Sequence, residues 1–318
     1  MKKRKTITKE EIKEKLKNGE ILPLTSDTIF KSIFIRNEKV LIKMVSDIFN
    51  IEEEEKLITI AGFETVASKY DGKTYRGDIL IRFSDYSYVL VEMNNETEDN
   101  VIDRNMVNLI RIHSQVLERG DKDYILKDFR MRGLNFNNFK NISGKPVERY
   151  AICELESGRI SSLIYTFCNI CLDKCSKLVY NVDIEKLPKA VRWGAIMTKN
   201  RIEEISDILG EDMLNMEEKE KLLDTIKEIN GDDRLLDDWI TEANAKMKLN
   251  NQIIHAKEEG IQEGIEKGIE KGIKEGIEKG NRYNVPIGVD TLRRREPINC
   301  TQVEGIKSLK VDTNLWVL

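Results

Sequence analysis

The sequence predicts an α/β protein in which a central mixed β-sheet is flanked by helices and followed by a helical region and a repetitive tail. Three observations carry this prediction. Apolar residues recur at helical spacing before residue 50, a β-hairpin pattern occupies residues 75–95, and a four-residue motif repeats over residues 260–280. The order of the segments is that of an α/β or α+β domain with a mixed sheet.

These patterns divide the chain into five segments. A charged N-terminal segment covers residues 1–20, the α/β core covers residues 21–160, and a helical region covers residues 161–255. A Gly-Ile-Glu-Lys repeat covers residues 256–280. An atypical C-terminal extension without clear periodicity covers residues 281–318.

Two helices are predicted to begin the core. Thr25 or Ser26 is suited to cap a helix N-terminus, and apolar residues from Ile29 to Phe34 recur at helical spacing after it. A second helix is predicted from Glu38 to Phe49. The later core segments are predicted as strands over residues 57–65, 75–95 (two strands), 123–139 and 149–155, with a helix over residues 100–117.

Residues 161–249 are predicted to be helical throughout. The period of the tail that follows is four residues, so on a helix its isoleucines drift by roughly 40° per repeat. Each interior glycine costs about 1 kcal/mol relative to alanine. The tail is therefore predicted as a marginal helix or flexible segment, with self-association beside the isoleucines as the alternative.

Two acidic residues interrupt the apolar strands of the hairpin. Asp78 opens the first run, DILIRF, and Glu92 nearly closes the second run, YVLVEM. A carboxylate in a strand that is apolar on both faces is unfavourable unless it is paired, hydrogen-bonded or metal-bound. Side chains alternate along a strand, so Glu92 shares a face with Asn94, and a turn of odd length places Asp78 opposite one of them.

Two carboxylates that face each other repel unless a proton or a cation lies between them. Mg²⁺ prefers oxygen ligands and keeps several waters, so Asp78 and Glu92 would form half of a catalytic metal site for phosphate hydrolysis. Two alternatives remain open. Asp78 could only begin a strand and bond to turn amides, and Glu92 could form a buried ion pair with Arg76 or Arg104.

Four motifs follow one another in a distinctive order. They are LPLTSDTIFKSIF, the pair YRGDILIRF and YVLVEMNN, the segment IDRNMVNLIRIHSQVLERGDKDY, and the Gly-Ile-Glu-Lys tail. This order resembles the PD-(D/E)XK nucleases, and most closely their transposase-associated, recombination-promoting branch. The resemblance covers residues from about 20 to 160 plus the tail. It implies a restriction-endonuclease-like core and a DNA endonuclease that uses Mg²⁺ or Mn²⁺.

The resemblance assigns roles to three residues of the hairpin. Asp78 and Glu92 stand at the positions of the metal ligands. Asn94 stands where the superfamily has lysine and this branch often has glutamine, so it would orient the attacking water or contact the phosphate. Asparagine has no charge and a shorter reach than either residue. This departure removes the charge on which the general-base or electrostatic part of the mechanism depends.

Two residues of the first core helix complete the catalytic prediction. Asp27 could supply an additional acid to the site, and Lys31, one helical turn later, could reach a phosphate. Each has an alternative interpretation. Asp27 could be an acid that stabilises the first turn of the helix, and Lys31 could be a solvated surface residue.

Overall charge does not suggest a nucleic-acid partner, because the net charge is −4. A basic surface must therefore be local, and residues 102–149 hold ten Lys and Arg against six Asp and Glu. Phe136 and Phe139 are interleaved with these charges. The alternative is a normally solvated charged face. The candidate DNA-binding residues are Lys31, Arg76, Arg104 and Arg111.

The sequence lacks the motifs that several other functions require. Only two histidines are present, which argues against multi-histidine zinc sites, and no Walker loop or Gly-x-Gly-x-x-Gly motif suggests a nucleotide cofactor. The chain shows no secretory signal and no apolar run long enough for a membrane span. Five cysteines then fit the reducing cytoplasm.

Three cysteines form the remaining candidate cluster. Cys168, Cys171 and Cys175 would share one face of a helix, with Cys153 as a conceivable fourth metal ligand. Their apolar neighbours favour small core cysteines instead. The sequence thus predicts a metal-dependent DNA endonuclease, and the repetitive tail suggests that it forms a homo-oligomer. The alternative is a catalytically weakened DNA-binding or oligomerising protein that keeps the nuclease fold.

Overall fold

The computed structural model describes residues 6–51, 59–61, 79–83, 87–94, 101–117, 130–138 and 143–282. The chain divides into two compact units, residues 1–249 and residues 250–318. Asp78, Arg76, Phe139 and all residues of the C-terminal extension after residue 282 lie outside the described residues.

The first unit contains the sheet and most of the helices. Its strands are β1 Thr59–Ala61, β2 Ile79–Arg82, β3 Tyr88–Asn94, β4 Met131–Asn137, β5 Val147–Cys153 and β6 Ile160–Cys171. The helices are α1 Lys9–Lys17, α2 Asp27–Arg36, α3 Glu38–Phe49, α4 Val101–Leu117, α5 Leu172–Asn181, α6 Lys189–Ile196, α7 Ile202–Ile208, α8 Met216–Gly231 and α9 Asp233–Arg282, the last of which continues into the second unit.

The six strands form one mixed sheet in the order β1-β2-β3-β4-β6-β5. The three central strands β3, β4 and β6 run parallel, and the outer pairings are antiparallel. The predicted mixed sheet with flanking helices is confirmed. The prediction of helix from residue 161 is wrong at its start, because β6 runs to Cys171 and lies between β4 and β5.

The hairpin predicted over residues 75–95 is present in its described part. Ile79 pairs with Val91, Arg82 pairs with Tyr88, and the amide of Phe83 donates to the carbonyl of Ser87 at 2.8 Å. This register aligns the apolar side chains of β2 and β3 on both faces of the sheet, as expected for strands in the middle of a covered sheet.

The two faces of the sheet are covered by different helical layers. One face carries Ile81, Val91 and Phe136 into the main core with α2, α3, α6 and α8. The other face packs Leu90 and the rest of a smaller apolar cluster against α4. Phe136 is fully buried and its ring lies 6.2 Å from that of Phe30, so it is a core residue although it is interleaved with basic residues in the sequence.

Close packing of α6 on the sheet gives a first testable prediction. A Cβ added at Gly194 would lie 2.5 Å from Cγ2 of Ile170 and 2.8 Å from Sγ of Cys175. Gly194→Ala should therefore lower the free energy of unfolding by about 1–3 kcal/mol, as is typical of overpacked cores. Urea denaturation measures this change.

Gly231→Ala is the matched control, because no atom lies within 4 Å of the Cβ that it would add at the end of α8. It should cause no loss of stability. A Gly194→Ala protein as stable as the wild type would contradict the close approach of α6 to β6.

The second unit is described as the continuation of α9 up to Arg282. The repeat is helical here, and its isoleucines Ile261, Ile265, Ile269, Ile273 and Ile277 are 48–57% exposed. In the described parts of the chain, no helix combines the length and the apolar character that crossing a membrane would require.

Candidate functional site

The carboxyl end of β3 carries the two described residues of the predicted catalytic motif. Glu92 and Asn94 are each 7% exposed, and alternation along the strand places both on the face covered by α4. The third predicted member, Asp78, lies outside the described residues, as does Arg76. The structure therefore places Glu92 and Asn94 on one face of β3, and the predicted convergence with Asp78 stays a prediction.

Glu92 begins a row of polar side chains that crosses four strands. Backbone register aligns Glu92 of β3 with Asn135 of β4, Asn169 of β6 and Glu148 of β5. All four residues are buried, with exposed fractions between 3% and 7%. We call these four residues the polar row. Buried polar groups in such numbers require hydrogen-bond partners.

A directional chain of hydrogen bonds joins Arg104 and Asn94 to this row. Arg104 of α4 donates through Nη2 to Oδ1 of Asn94, and Nδ2 of Asn94 donates to Oδ1 of Asn135. Asn135 in turn donates through Nδ2 to Oδ1 of Asn169 at 3.3 Å. Arginine is only a donor, so it fixes which end of the Asn94 amide faces it. We call Asn94, Asn135 and Asn169 the amide chain.

The far end of the polar row holds a second buried carboxylate. Glu148 accepts the hydroxyl of Tyr150 at Oε2 and the amide of Ser143 at Oε1. Burial is the main cause that raises the pKa of Tyr150, and the hydrogen bond and charge of Glu148 raise it further, whereas a contact with Asn169 lowers it. Tyr150 therefore stays protonated and acts as a donor to Glu148.

Two further buried asparagines belong to β4 and α4, the elements that also carry Asn135 and Arg104. Asn137 of β4 is paired with Asn94 of β3 and is fully buried. Asn105 of α4 is 4% exposed. Within the described residues, neither amide has a hydrogen-bond partner at its nitrogen or its oxygen. Leaving such a group unsatisfied costs about 1–3 kcal/mol. Water or a bound group is therefore expected at this end of the sheet.

Helix α4 presents two arginines along one flank. Arg104 and Arg111 are both half-buried and lie seven residues apart, which places them on the same side of the helix. His113 lies on the buried side, where its Nδ1 is hydrogen-bonded to the hydroxyl of Tyr165. Burial lowers the pKa of His113, so the neutral ring has a structural role in this contact.

The predicted residues of the first core helix form a separate group. Asp27 is the first residue of α2, and its Oδ1 lies 2.7 Å from Nζ of Lys31. The helix packs on the face of the sheet opposite α4, through Phe30. The carboxylate of Glu242 in α9 accepts hydrogen bonds from Ser26 and Thr28 at the same helix terminus. A catalytic role for Asp27 stays a prediction.

Carboxylate and amide oxygens dominate the site, and these are the ligand atoms that a hard divalent cation prefers. Glu92 offers a carboxylate, and Asn94, Asn135 and Asn137 offer amide oxygens nearby. Across the described ranges, no three His, Cys, Asp or Glu side chains cluster so as to hold a metal. Mg²⁺ is commonly held by only one or two carboxylates together with waters and substrate phosphates, so the donor set fits this ion.

The cysteine cluster predicted on one helix is not formed. Cys168 and Cys171 belong to strand β6, and only Cys175 lies on the following helix α5. Burial raises the pKa of the Cys168 and Cys175 thiols to about 12. Cys153, the fourth candidate, is exposed near the end of β5. The buried cysteines are thus packed as small apolar residues of the core.

Thiol labelling tests this description of the cysteines. In a Cys300→Ser background, Cys153 should react rapidly with a thiol reagent at mildly alkaline pH, because it is exposed. Cys168 and Cys175 should react only after unfolding, because burial keeps them protonated and out of reach. Rapid labelling of either buried thiol, or zinc or iron in the purified protein, would contradict this account.

Sequence reasoning missed most of the polar row. Asn135, Asn169 and Glu148 were not among the predicted site residues, and neither was Asn137. One signal was present in the sequence. Asn135 and Asn137 alternate with buried Leu134 and Phe136, which marks one polar face on a strand that is otherwise apolar.

A family model described as PD-(D/E)XK nuclease family transposase matches residues 24–263. The matched stretch includes every predicted catalytic, metal and DNA-binding residue. Neither the curated proteins nor the solved structures contain a significant match to this chain.

Proposed function

The chain belongs to the PD-(D/E)XK nuclease family transposases, and from that premise we propose that it is a metal-dependent DNA endonuclease. In this proposal the core is restriction-endonuclease-like, and the enzyme acts with a transposase or recombination-promoting system. The reaction is the attack of water on a phosphodiester. The cytoplasm is the proposed compartment, because it keeps free thiols such as Cys168 and Cys175 reduced.

One observation carries this proposal. The buried carboxylate of Glu92 and the buried amide of Asn94 share one face at the carboxyl end of β3, and a cation from α4 donates to that amide. A carboxylate beside several amide oxygens offers the oxygen ligands that a hard divalent cation prefers. A metal ion and a phosphate are the partners that family membership suggests.

Asp78 is the proposed second carboxylate. The described register pairs Ile79 with Val91, and the same register continued by one residue would pair Asp78 with Glu92. Directly opposed side chains have Cβ atoms about 5 Å apart, a suitable distance for two carboxylates that share one cation. Glu92 and Asp78 would hold Mg²⁺ or Mn²⁺, which supplies a Lewis acid and an activated water when bound.

The other residues of the site orient the reactants. An amide has two donor hydrogens and two acceptor lone pairs, and Asn94 uses one of each on Asn135 and Arg104. The remaining donor and lone pair are proposed to hold a water or a phosphate oxygen. Burial of Glu92 and Asn94 limits competing bulk water.

Contacts with the DNA backbone are proposed for cationic residues of α4, of α2 and of the segment before β2. Arg111 lies on the same flank of α4 as Arg104, and Lys31 lies at the start of α2 beside Asp27. Arg76 is proposed from the sequence motif. Phosphate contacts of this kind would make DNA affinity fall as salt rises.

A plasmid-nicking assay tests the proposal directly. The full chain is mixed with supercoiled plasmid in Mg²⁺ or Mn²⁺ and, in parallel, with excess chelator. Conversion to nicked or linear DNA that requires the metal is the expected result. Absence of metal-dependent cleavage in both ions would overturn the endonuclease proposal.

The second candidate function is a catalytically weakened DNA-binding protein. The observation that favours it is the engagement of Asn94 on both sides, by Arg104 and Asn135, at the position of the motif lysine. This candidate predicts DNA binding in a gel-shift assay without cleavage in either metal. The two assays together separate the candidates.

A further inference from the structure

The catalytic motif of this chain lacks its cation, and another cation lies next to the vacant position. Glu92, Met93 and Asn94 form the Glu-x-Asn sequence at the end of β3, where the superfamily motif ends in lysine. Arg104 of α4 donates a hydrogen bond to the side-chain oxygen of Asn94. Its positive charge therefore lies one hydrogen bond from the position that lysine would occupy.

We propose that Arg104 is a catalytic residue that supplies, from α4, the positive charge missing at Asn94. This inference rests on the proposed nuclease function and deepens it. Arginine stays protonated at all relevant pH values and presents several donors in a rigid fork that matches phosphate geometry. A donor held in place before the reaction stabilises charge that develops on the phosphate in the transition state.

The amide chain gives Arg104 a fixed position. Asn94 accepts from Arg104 and donates to Asn135, which donates to Asn169, so all three amides point the same way. A reversed Asn94 amide would place two donors against each other. The guanidinium is thus anchored at a buried site only two residues along the strand from Glu92, about 7 Å in backbone distance.

A cation at this position can have two roles, to stabilise charge and to exchange a proton. A lysine in the motif can carry charge and also exchange a proton, whereas arginine cannot act as a base. Arg104 therefore stabilises charge, and the proton of the attacking water goes to a solvent or phosphate oxygen. Consequently, the curve of cleavage rate against pH should have the same shape in the wild type and in variants of Arg104.

The test compares Arg104→Gln with Arg104→Lys. Glutamine keeps a donor for Asn94 without the charge, and lysine keeps the charge. Arg104→Gln should lower the cleavage rate at saturating DNA by about 10²–10³-fold, the usual effect of losing one preorganised donor. Arg104→Lys should retain at least about tenfold more activity than Arg104→Gln. Arg234→Gln, the same change on the exposed surface of α9, is the matched control.

Two measurements without cleavage accompany the rates. The melting temperature shows whether each variant folds, and DNA affinity in Ca²⁺ separates catalysis from simple binding. Because the effect of Arg104 is assigned to the transition state, Arg104→Gln should change the Kd for DNA by less than about threefold. A large loss of affinity with an unchanged rate at saturation would reduce Arg104 to a DNA-binding residue and overturn the inference.

A rescue variant makes the inference specific. Asn94→Lys added to Arg104→Gln returns a positive charge to the motif, and cleavage should rise above that of Arg104→Gln. Cleavage by Arg104→Gln at the wild-type rate, or equal inactivity of Arg104→Lys in a folded protein, would overturn the inference alone. A wild-type protein that never cleaves would instead overturn the proposed function on which the inference rests.

An independent observation concerns the repeat helix. A repeat of four residues divides a helix surface into four rows, about 90° apart at any height. One row holds the exposed isoleucines from Ile261 to Ile277, and the neighbouring row holds glycines whose added Cβ atoms would meet nothing within 4 Å. The other two rows carry charged side chains, including the ion pair of Lys267 with Glu263.

We infer that this face binds a second copy of the same helix. Rows of residues at a spacing of four form ridges inclined to the helix axis, and packing such ridges into the matching grooves of a partner gives a crossing angle of about −50°. The isoleucine row is a ridge and the glycine row beside it is a groove. A twofold axis lets each copy insert its ridge into the groove of the other.

Charge favours a second copy over a lipid surface. A helix that lies on anionic lipid carries a polar face rich in lysine and arginine. Here acidic and basic residues alternate, with Glu263, Glu266, Glu270, Glu275 and Glu278 against Lys267, Lys271, Lys274 and Lys279. This mixed pattern is complementary to itself.

Sedimentation equilibrium of the full chain tests the inference. Ile269→Glu should raise the dimer dissociation constant by more than about tenfold, because it places a charge in an apolar contact. Gly268→Ala with Gly272→Ala is the sharper variant, since alanine strengthens the helix yet fills the groove. Lys221→Glu, a charge change on the exposed surface of α8 outside the repeat, is the control and should leave the dissociation constant unchanged. A monomeric wild-type chain, or tighter association of the alanine variant, would overturn the inference.

Discussion

Replacement of Glu92 by glutamine is expected to lower metal-dependent DNA cleavage by about 10²–10³-fold, because the proposed cation, which would stabilise the charge that develops on the phosphate, loses a carboxylate ligand. Glutamine has nearly the same shape, so the buried position on β3 stays filled. Asp78→Asn is expected to have an effect of similar size. Single-turnover cleavage of a labelled duplex measures both variants against the wild type.

Glu217→Gln is the matched control for this prediction. Glu217 is an exposed acid in the first turn of α8, so the same chemical change there should leave the rate within about threefold of wild type. DNA binding in Ca²⁺ by the Glu92 variant should persist. Cleavage by Glu92→Gln at the rate of the control would show that this carboxylate takes no part in the reaction.

Replacement of Asn135 by leucine is expected to have the largest effect on stability among the site residues. The change orphans the donor of Asn94 and the acceptor of Asn169, both of which are buried. Each of the two orphaned groups costs about 1–3 kcal/mol, so the free energy of unfolding should fall by about 2–6 kcal/mol. Chemical denaturation with a linear extrapolation measures this loss.

Two comparisons make the result interpretable. Asn181→Ala removes an exposed amide that donates within α5, and it should cost less than about 1 kcal/mol. Asn135→Leu combined with Asn169→Leu should cost less than the sum of the single changes, because the pair shares one hydrogen bond. Strict additivity, or a loss as small as that of Asn181→Ala, would argue against the amide chain.

The hairpin and its acids could be predicted because the signals lie within one short segment. A charged residue in an apolar run is visible without any knowledge of the tertiary structure, and alternation alone places Glu92 and Asn94 on one face. The helices α2 and α3 were predicted for the same reason, since helical spacing is a local pattern.

The polar row could not be predicted in this way, because it depends on strand order. Asn135 and Asn169 are 34 residues apart and become neighbours only through the parallel pairing of β4 and β6. The sequence predicts a helix where β6 lies, because the last five residues of this strand are all buried and show no alternation of apolar and polar side chains. Periodicity alone does not distinguish such a strand from a buried helix.

The proposed role of Arg104 could not be predicted from the sequence either, because it depends on a tertiary contact. The sequence identified an early arginine in the helix after the hairpin, and charge suggested contact with DNA. Its hydrogen bond to Asn94 depends on how α4 folds back over the carboxyl end of β3. The residue that substitutes for a missing motif lysine was therefore visible in the sequence, while its position was not.

A metal-soaked crystal tests the central claim most directly. Mn²⁺ gives an anomalous signal, and its position identifies the ligands without an activity assay. The account predicts a peak at metal–oxygen distance, about 2.1 Å, from a carboxylate oxygen of Glu92 and from one of Asp78. A peak elsewhere in the protein, or carboxylates of these two residues on opposite faces of the sheet, would contradict it.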